Sequence, residues 1–227
     1  MTDRLLHAVR GILFDLDGTL IDSNFFHTVC WWQAFRQHEL DVPTAVIHRS
    51  VGMGADQLIP HVLSEAGLAD EPDADMLTAA HAALYAAYWP RLRTLPGSRQ
   101  LLRRCHEAGL TTVLASSAGE AELTVLTRLL DCDDAVDVTT SSADAGASKP
   151  APDIVQVALD KAGLAAQDCL FVGDAVWDVQ AAGRAGVSCI GLESGGTSAA
   201  ELLEAGAFAT YRDAQDLLHH SEEWLNT

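Results

Sequence analysis

Short, nearly continuous apolar runs recur along the chain, and each leads into an acidic or hydroxyl residue. Residues 11–14 run into Asp15, residues 111–115 into Ser116, and residues 169–173 into Asp174. Residues 187–192 form a similar run and 135–139 a weaker one. Unbroken apolar runs of this length are the pattern of strands buried on both faces of a parallel sheet. Helical stretches at 97–108, 152–162 and 176–185 lie between them. Each is followed by a glycine (Gly109, Gly163, Gly186), where a helix C-terminus favours a left-handed residue. The repetition predicts an α/β fold with a doubly wound, mostly parallel, Rossmann-like sheet.

Residues 23–95 break this rhythm, with no convincing strand among them. Asn24 is read as the cap of a helix running to about His38, Asp56 as the cap of another ending near Gly67, and 73–89 as an alanine-rich helix stopped by Pro90. The expected organisation is an α/β core of 1–22 and 96–227, interrupted by a smaller all-helical domain at 23–95.

With 227 residues, 48% of them hydrophobic, the chain can bury a sizeable core. Its longest apolar runs fall short of the ~20 residues that cross a bilayer. The first ten residues lack the apolar block and cleavage site of a signal peptide, so a cytoplasmic protein away from membranes is expected. Five cysteines with no C-x-x-C pair argue against a disulfide framework or a zinc site. The net charge of −18 would repel a phosphate backbone, so nucleic acid is not expected as a partner. There are only two lysines, Lys149 and Lys161, which makes the position of each informative.

In an open α/β sheet, ligands bind beyond the carboxyl ends of the strands. The residues falling there are Asp15, Asp17, Ser116, Asp174 and Asp178, with Lys149 adding a cation from the segment 148–150. Asp15 and Asp17 are two apart and project the same way from an extended chain. Asp174 and Asp178 are four apart at a helix start and share a face. Two bare charges 4 Å apart repel by about 4 kcal/mol at an effective dielectric of 20. Gathered carboxylates therefore call for a bound cation or for some groups to stay protonated, and an oxygen-only donor set suits Mg²⁺. Taken singly, each signal has a plain reading: an acidic surface turn, a helix start favoured by its dipole, a capping serine, a surface lysine.

The ordered set Asp15-x-Asp17-Gly18-Thr19, Ser116, Lys149 and Gly173-Asp174-x-x-x-Asp178 resembles the haloacid dehalogenase superfamily of phosphohydrolases. The helical insert after the first motif is similar to the cap of its phosphoglycolate phosphatase-like branch. The resemblance implies that Asp15 is a nucleophile forming an aspartyl-phosphate, and that Asp17 is the general acid and base. It implies Mg²⁺ held by Asp15, Asp17 (through its carbonyl) and Asp174, supported by Asp178 from behind or through water. Ser116 and Lys149 would hold the phosphoryl oxygens of a small phosphorylated metabolite, in a monomer or homodimer.

Asp17 argues against a haloalkanoic acid dehalogenase, and the absence of lysine from 23–95 argues against Schiff-base chemistry. A sugar-phosphate mutase shares the motifs and stands second. A catalytically silent binding module on this fold is the alternative of a different class. Cap residues Ser23, Arg49 and Met53 are the candidates for setting specificity, with Arg49 placed to meet a second anionic group. Ser117 stands where relatives often carry asparagine. Trp31, Trp32, Tyr88 and Trp89 are read as the insert's own core.

Overall fold

The structure, a computed structural model, describes residues 9–69 and 72–225. Six parallel strands form one sheet in the order β3-β2-β1-β4-β5-β6. They are β1 (Gly11–Phe14), β2 (Thr111–Ala115), β3 (Val138–Thr140), β4 (Cys169–Gly173), β5 (Ser188–Leu192) and β6 (Ala209–Tyr211). From β1 the chain winds outward to β2 and β3; from β4 it winds the other way to β5 and β6. The reversal leaves a crevice beyond the carboxyl ends of β1 and β4, where such folds bind ligands.

Alternate residues of each central strand enter different cores, which is why the runs show no polar alternation. Ile12, Phe14, Leu114 and Val172 pack on one face of the sheet with Leu101 and Leu126. Leu13, Val113 and Phe171 pack on the other with Val155 and Ala182. The helices carrying these residues are α5 (Ser98–Glu107), α6 (Glu120–Leu130), α7 (Asp153–Ala162) and α8 (Val176–Arg184). Gly109, Gly163 and Gly186 all take the left-handed conformation expected of them, with φ of 79°, 64° and 79°.

Between β1 and α5 the described residues form the helices α1 (Asn24–Gln37), α2 (Thr44–Ser50), α3 (Ala55–Glu65) and α4 (Ala74–Ala86). They enclose an apolar cluster of their own that includes Trp31, Phe35, Ile47, Leu58, Val62 and Leu77. Neither of the two expected capping residues caps; the residue that does is Asp73, whose carboxylate accepts from the backbone N–H groups of Asp75 and Met76 at 3.0 and 3.1 Å. Asn24 is instead the first residue inside α1, and Asp56 lies inside α3 behind Gly54. Both side chains bond to distant parts of the chain, an arrangement that no local rule reveals.

The remaining helices, α9 (Ala199–Ala205), α10 (Ala214–His219) and α11 (Ser221–Leu225), complete the outer layers. The expected strand at 135–139 begins later. Asp133–Ala135 forms a tight turn, and pairing with β2 starts where the Asp137 N–H donates to the Thr112 carbonyl at 2.9 Å. No helix among the described residues is long and apolar enough to cross a membrane.

Candidate active site

Asp15 is the first residue after β1, anchored by its N–H to the Val172 carbonyl of β4 at 2.9 Å. Its Oδ1 accepts from Lys149 Nζ at 2.5 Å. The same ammonium lies 2.7 Å from Asp178 Oδ1 and 5.6 Å above the Phe171 ring. Lys149 and Asp178 are fully buried and Asp15 almost so. Asp178 does a second task at the start of α8: its Oδ2 accepts from the N–H groups of Asp174 and Ala175 at 3.2 and 3.0 Å. This fixes the turn carrying Asp174 after β4. Gly173 makes the close approach possible, because a Cβ there would come within 2.5 Å of the Asp178 side chain.

Asp174 is held from the opposite side. Thr19 Oγ1 donates to its Oδ1 at 3.0 Å, and Asn24 Nδ2 to its Oδ2 at 2.7 Å. Gly18, at φ +77°, turns the chain between Asp17 and Thr19, and any side chain there would strike Asn24 and Asp174. Ser194 locks that turn by donating to the Gly18 carbonyl at 2.6 Å. Thr19, Asn24 and Ser194 are contributors that sequence reasoning did not assign. Thr19 was visible as part of the motif string; Asn24 and Ser194 carried no signal of their own.

Asp15, Asp174 and Asp178 offer oxygens that all lie within 4.8 Å of one another. Burial pushes the Asp15 carboxyl up to about 7; Lys149 opposes this, while Asp178 and Asp17 add to it. Burial raises Asp174 well above the usual carboxylate range, with Asp178 and Asp15 adding to it. Burial alone would lower Lys149, but Asp15 and Asp178 outweigh it and keep the ammonium protonated. Fully ionised, three carboxylates against one ammonium would leave two negative charges, which one divalent cation would neutralise. The donor set is oxygen only, so the residues fit a hard cation such as Mg²⁺.

Asp17 takes part in a different network. Its Oδ1 accepts from Ser23 Oγ at 2.5 Å and faces His27 Nε2 at 3.3 Å. His27 Nε2 also lies 3.4 Å from Glu122 Oε1, and its Nδ1 is 3.1 Å from His81 Nε2. Burial alone would lower His27, but Asp17 and Glu122 prevail and push the imidazole up to about 10. His81 is held well below the usual histidine range by burial and by the charge of His27. An imidazolium at His27 donating to a neutral His81 satisfies both shifts. Burial pulls the Asp17 carboxyl upward, but His27 and Ser23 outweigh it and leave it below its ordinary range. His27, His81 and Glu122 escaped sequence reasoning, being far apart in the chain and without metal-ligand spacing.

These groups open into a cavity of about 640 Å³ between the strand ends and the helices that follow β1. Asp15 and Asp17 lie on its floor side, and Met53, Trp31, Tyr85 and Ser117 are among its walls. Ser117 Oγ is buried within the protein without a hydrogen-bond partner. Ser116 is fully buried, its Oγ accepting from the Ala118 N–H at 3.1 Å, and so shapes the turn after β2. Two of the expected specificity residues are engaged elsewhere. Ser23 is fully buried beside Asp17, and the guanidinium of Arg49 pairs with Glu201. Trp31 and Trp89, read as core, line the cavity as well; Trp31 stacks on His81 with ring centroids 4.1 Å apart.

The chain matches the haloacid dehalogenase-like hydrolase family over residues 9–186, which spans every titratable residue described at the site. It belongs to that family. It is an enzyme, a phosphatase. It is 32% identical over 194 residues to the phosphoglycolate phosphatase of Yersinia pestis, covering 83% of this chain and 82% of that protein. It is equally 32% identical over 186 residues to the validoxylamine A 7'-phosphate phosphatase of Streptomyces hygroscopicus subsp. limoneus, covering 79% and 84%. Among solved structures, a hydrolase from Pseudomonas syringae superposes with a TM-score of 0.89 at 32% identity, covering 94% of this chain and 98% of that one.

Proposed function

We propose that this haloacid dehalogenase-like enzyme is a Mg²⁺-dependent phosphatase that hydrolyses a small phosphorylated metabolite through an aspartyl-phosphate on Asp15. The observation carrying this reading is the position of Asp15. It is buried at the floor of the cavity, 2.5 Å from a lysine ammonium and beside the carboxylate of Asp174. Asp15, the Asp17 carbonyl and Asp174 would hold the ion, with Asp178 behind them; when bound, it neutralises phosphoryl oxygen charge.

The residues then act as follows. A carboxylate oxygen of Asp15 attacks phosphorus as the bond to the substrate's alcohol oxygen breaks. Asp17 delivers a proton to the departing alkoxide. Water next attacks the aspartyl-phosphate, Asp17 takes its proton, and inorganic phosphate leaves with Asp15 regenerated. Lys149 stabilises negative charge on the transferring group, and Ser116 and Ser117 present the turn after β2 to it. The contacts from Ser23 and His27 favour ionised Asp17, the form needed to accept the proton from water.

In this reading residues 23–95 are a helical cap over a core of 1–22 and 96–227, and they exclude water from the cavity. The relatives' names point to different substrates, phosphoglycolate and validoxylamine A 7'-phosphate. The general test is turnover of p-nitrophenyl phosphate with and without Mg²⁺. Metal-dependent release of phosphate, lost in Asp15→Asn, is expected. Equal turnover by that variant rejects the nucleophile.

A further inference from the structure

The cavity wall beyond the phosphate site has an unbalanced charge. Asp56 and Glu120 line it, and so does Glu122. Among the described residues, no arginine or lysine does. The one cationic side chain on the wall is His27, and its ring is fully engaged, Nε2 between Asp17 and Glu122 and Nδ1 against His81. Arg49, two residues before the lining residue Val51, is paired with Glu201, and its carbonyl accepts from Trp177 Nε1 at 2.9 Å; Lys149, next to Ser148, is committed to Asp15 and Asp178.

Asp56 is exposed to solvent, but its carboxylate is fixed in place. Its Oδ1 accepts from Ser148 Oγ at 2.5 Å and its Oδ2 from the Ser148 N–H at 3.2 Å. These bonds outweigh the upward pull of burial and hold its carboxyl below the ordinary range. Ser148 in turn accepts from the Gly54 N–H at 3.0 Å, which places the carboxylate at the seam between α3 and the segment carrying Lys149. Glu122 is answered by His27, whereas Asp56 and Glu120 face no lysine or arginine across the cavity.

On the basis of the phosphatase reading above, we propose that the alcohol released by this enzyme carries no second anion, and that hydroxyl-rich or ammonium-bearing phosphate monoesters are its substrate class. A substrate carboxylate or second phosphate entering the cavity would lose its water beside Asp56 and Glu120 with no cation to receive it. An ammonium or hydroxyl group finds acceptors on the same wall. The proposal departs from the substrate named for the Yersinia pestis relative, and it leaves no anchor for the bisphosphate through which a phosphoryl group moves between two carbons of one sugar.

The test is kcat/KM on a two-carbon series that differs only in its far group: phosphoglycolate, 2-hydroxyethyl phosphate and phosphoethanolamine. Sorbitol 6-phosphate against 6-phosphogluconate extends it to the length of the cavity, and p-nitrophenyl phosphate serves as reference. The expected order is ammonium above hydroxyl above carboxylate, with at least tenfold between the ends at low ionic strength and a narrower span at high salt. Glu120→Lys, on an exposed residue, is expected to raise kcat/KM for phosphoglycolate relative to p-nitrophenyl phosphate and to lower it for phosphoethanolamine. Phosphoglycolate equal to or better than phosphoethanolamine in the native enzyme, with p-nitrophenyl phosphate still hydrolysed, overturns this proposal and leaves the phosphatase reading standing. Failure to hydrolyse any ester, including p-nitrophenyl phosphate, overturns both.

Discussion

Asn24 Nδ2 donates to Asp174 Oδ2 at 2.7 Å, tying the first residue of α1 to a carboxylate 150 positions further along the chain. The bond fixes one oxygen of Asp174 and leaves the other to Thr19, so the direction of the carboxylate is set by the helical segment as much as by β4. Groups that orient a metal ligand in this way commonly contribute 10- to 100-fold to affinity (an order-of-magnitude range). Asn24→Ala is therefore expected to raise the Mg²⁺ concentration for half-maximal activity by about tenfold. The maximal rate should be affected less. Metal titration of p-nitrophenyl phosphate turnover measures this, and an unchanged midpoint would remove Asn24 from the site.

Lys149 is the sole ammonium among the buried carboxylates described around Asp15. Removing one partner of a buried ion pair leaves charge uncompensated and costs about 3–5 kcal/mol. Lys149→Met should lose that order of stability in urea unfolding with a chelator present, and activity should fall with it. Added Mg²⁺ should restore part of the stability but not the turnover. A variant as stable as the parent would mean that Asp15 and Asp178 accept protons at little cost.

The raised carboxyl of Asp15 makes stability depend on pH in a defined direction. Between 3.8, where an unstructured aspartate ionises, and about 7, the folded protein binds a proton that the unfolded chain has released. Stability of the metal-free protein should therefore fall as pH rises through that window. Mg²⁺ competes with the same proton, so the thermal stabilisation it confers should grow from pH 5 to pH 8. Melting curves in chelator and in excess Mg²⁺ across this range test both slopes. Asp15→Asn should flatten the first of them.

His27 reaches the reaction only through Asp17 in this arrangement. Removing its charge in His27→Gln relaxes the ionisation of Asp17 and removes the imidazolium 3.3 Å from it. The effect should depend on the leaving group. Without His27 the pKa of the Asp17 carboxyl rises and the group is protonated more often, so alkyl phosphates, whose alkoxides need that proton, should lose less kcat than p-nitrophenyl phosphate, for which only the weakened base step counts. The pH–rate profile should shift as well. Equal loss on both substrates would mark His27 as a packing residue.

The parallel sheet was legible because burial on both faces writes itself as continuous apolar runs, and β1, β2 and β4 each end where an acid or serine stands. Strand ends pointed to the clustering of Asp15, Asp174 and Asp178, whereas Lys149, which follows no strand, gained its place only as a member of the ordered motif set. What sequence could not show were side chains diverted across the fold. Asn24 and Asp56 have the chemistry of helix caps and the positions of helix starts, yet bond to Asp174 and Ser148. Arg49 looked like an anion receptor until Glu201 supplied its partner. The His27–His81 contact joins α1 to α4 and leaves no trace in the spacing of either helix.

Gly195 adds a constraint of another kind. A methyl group placed on it would sit 1.7 Å from Asp174 Oδ2 and 2.5 Å from Asn24 Nδ2. The loop after β5 is thus a backstop that must stay bare, and it denies this enzyme one of the sheet's loops as ground for altering its choice of substrate. Met53 and Gly119 lie instead on the cavity wall, where it borders the helices and the turn after β2.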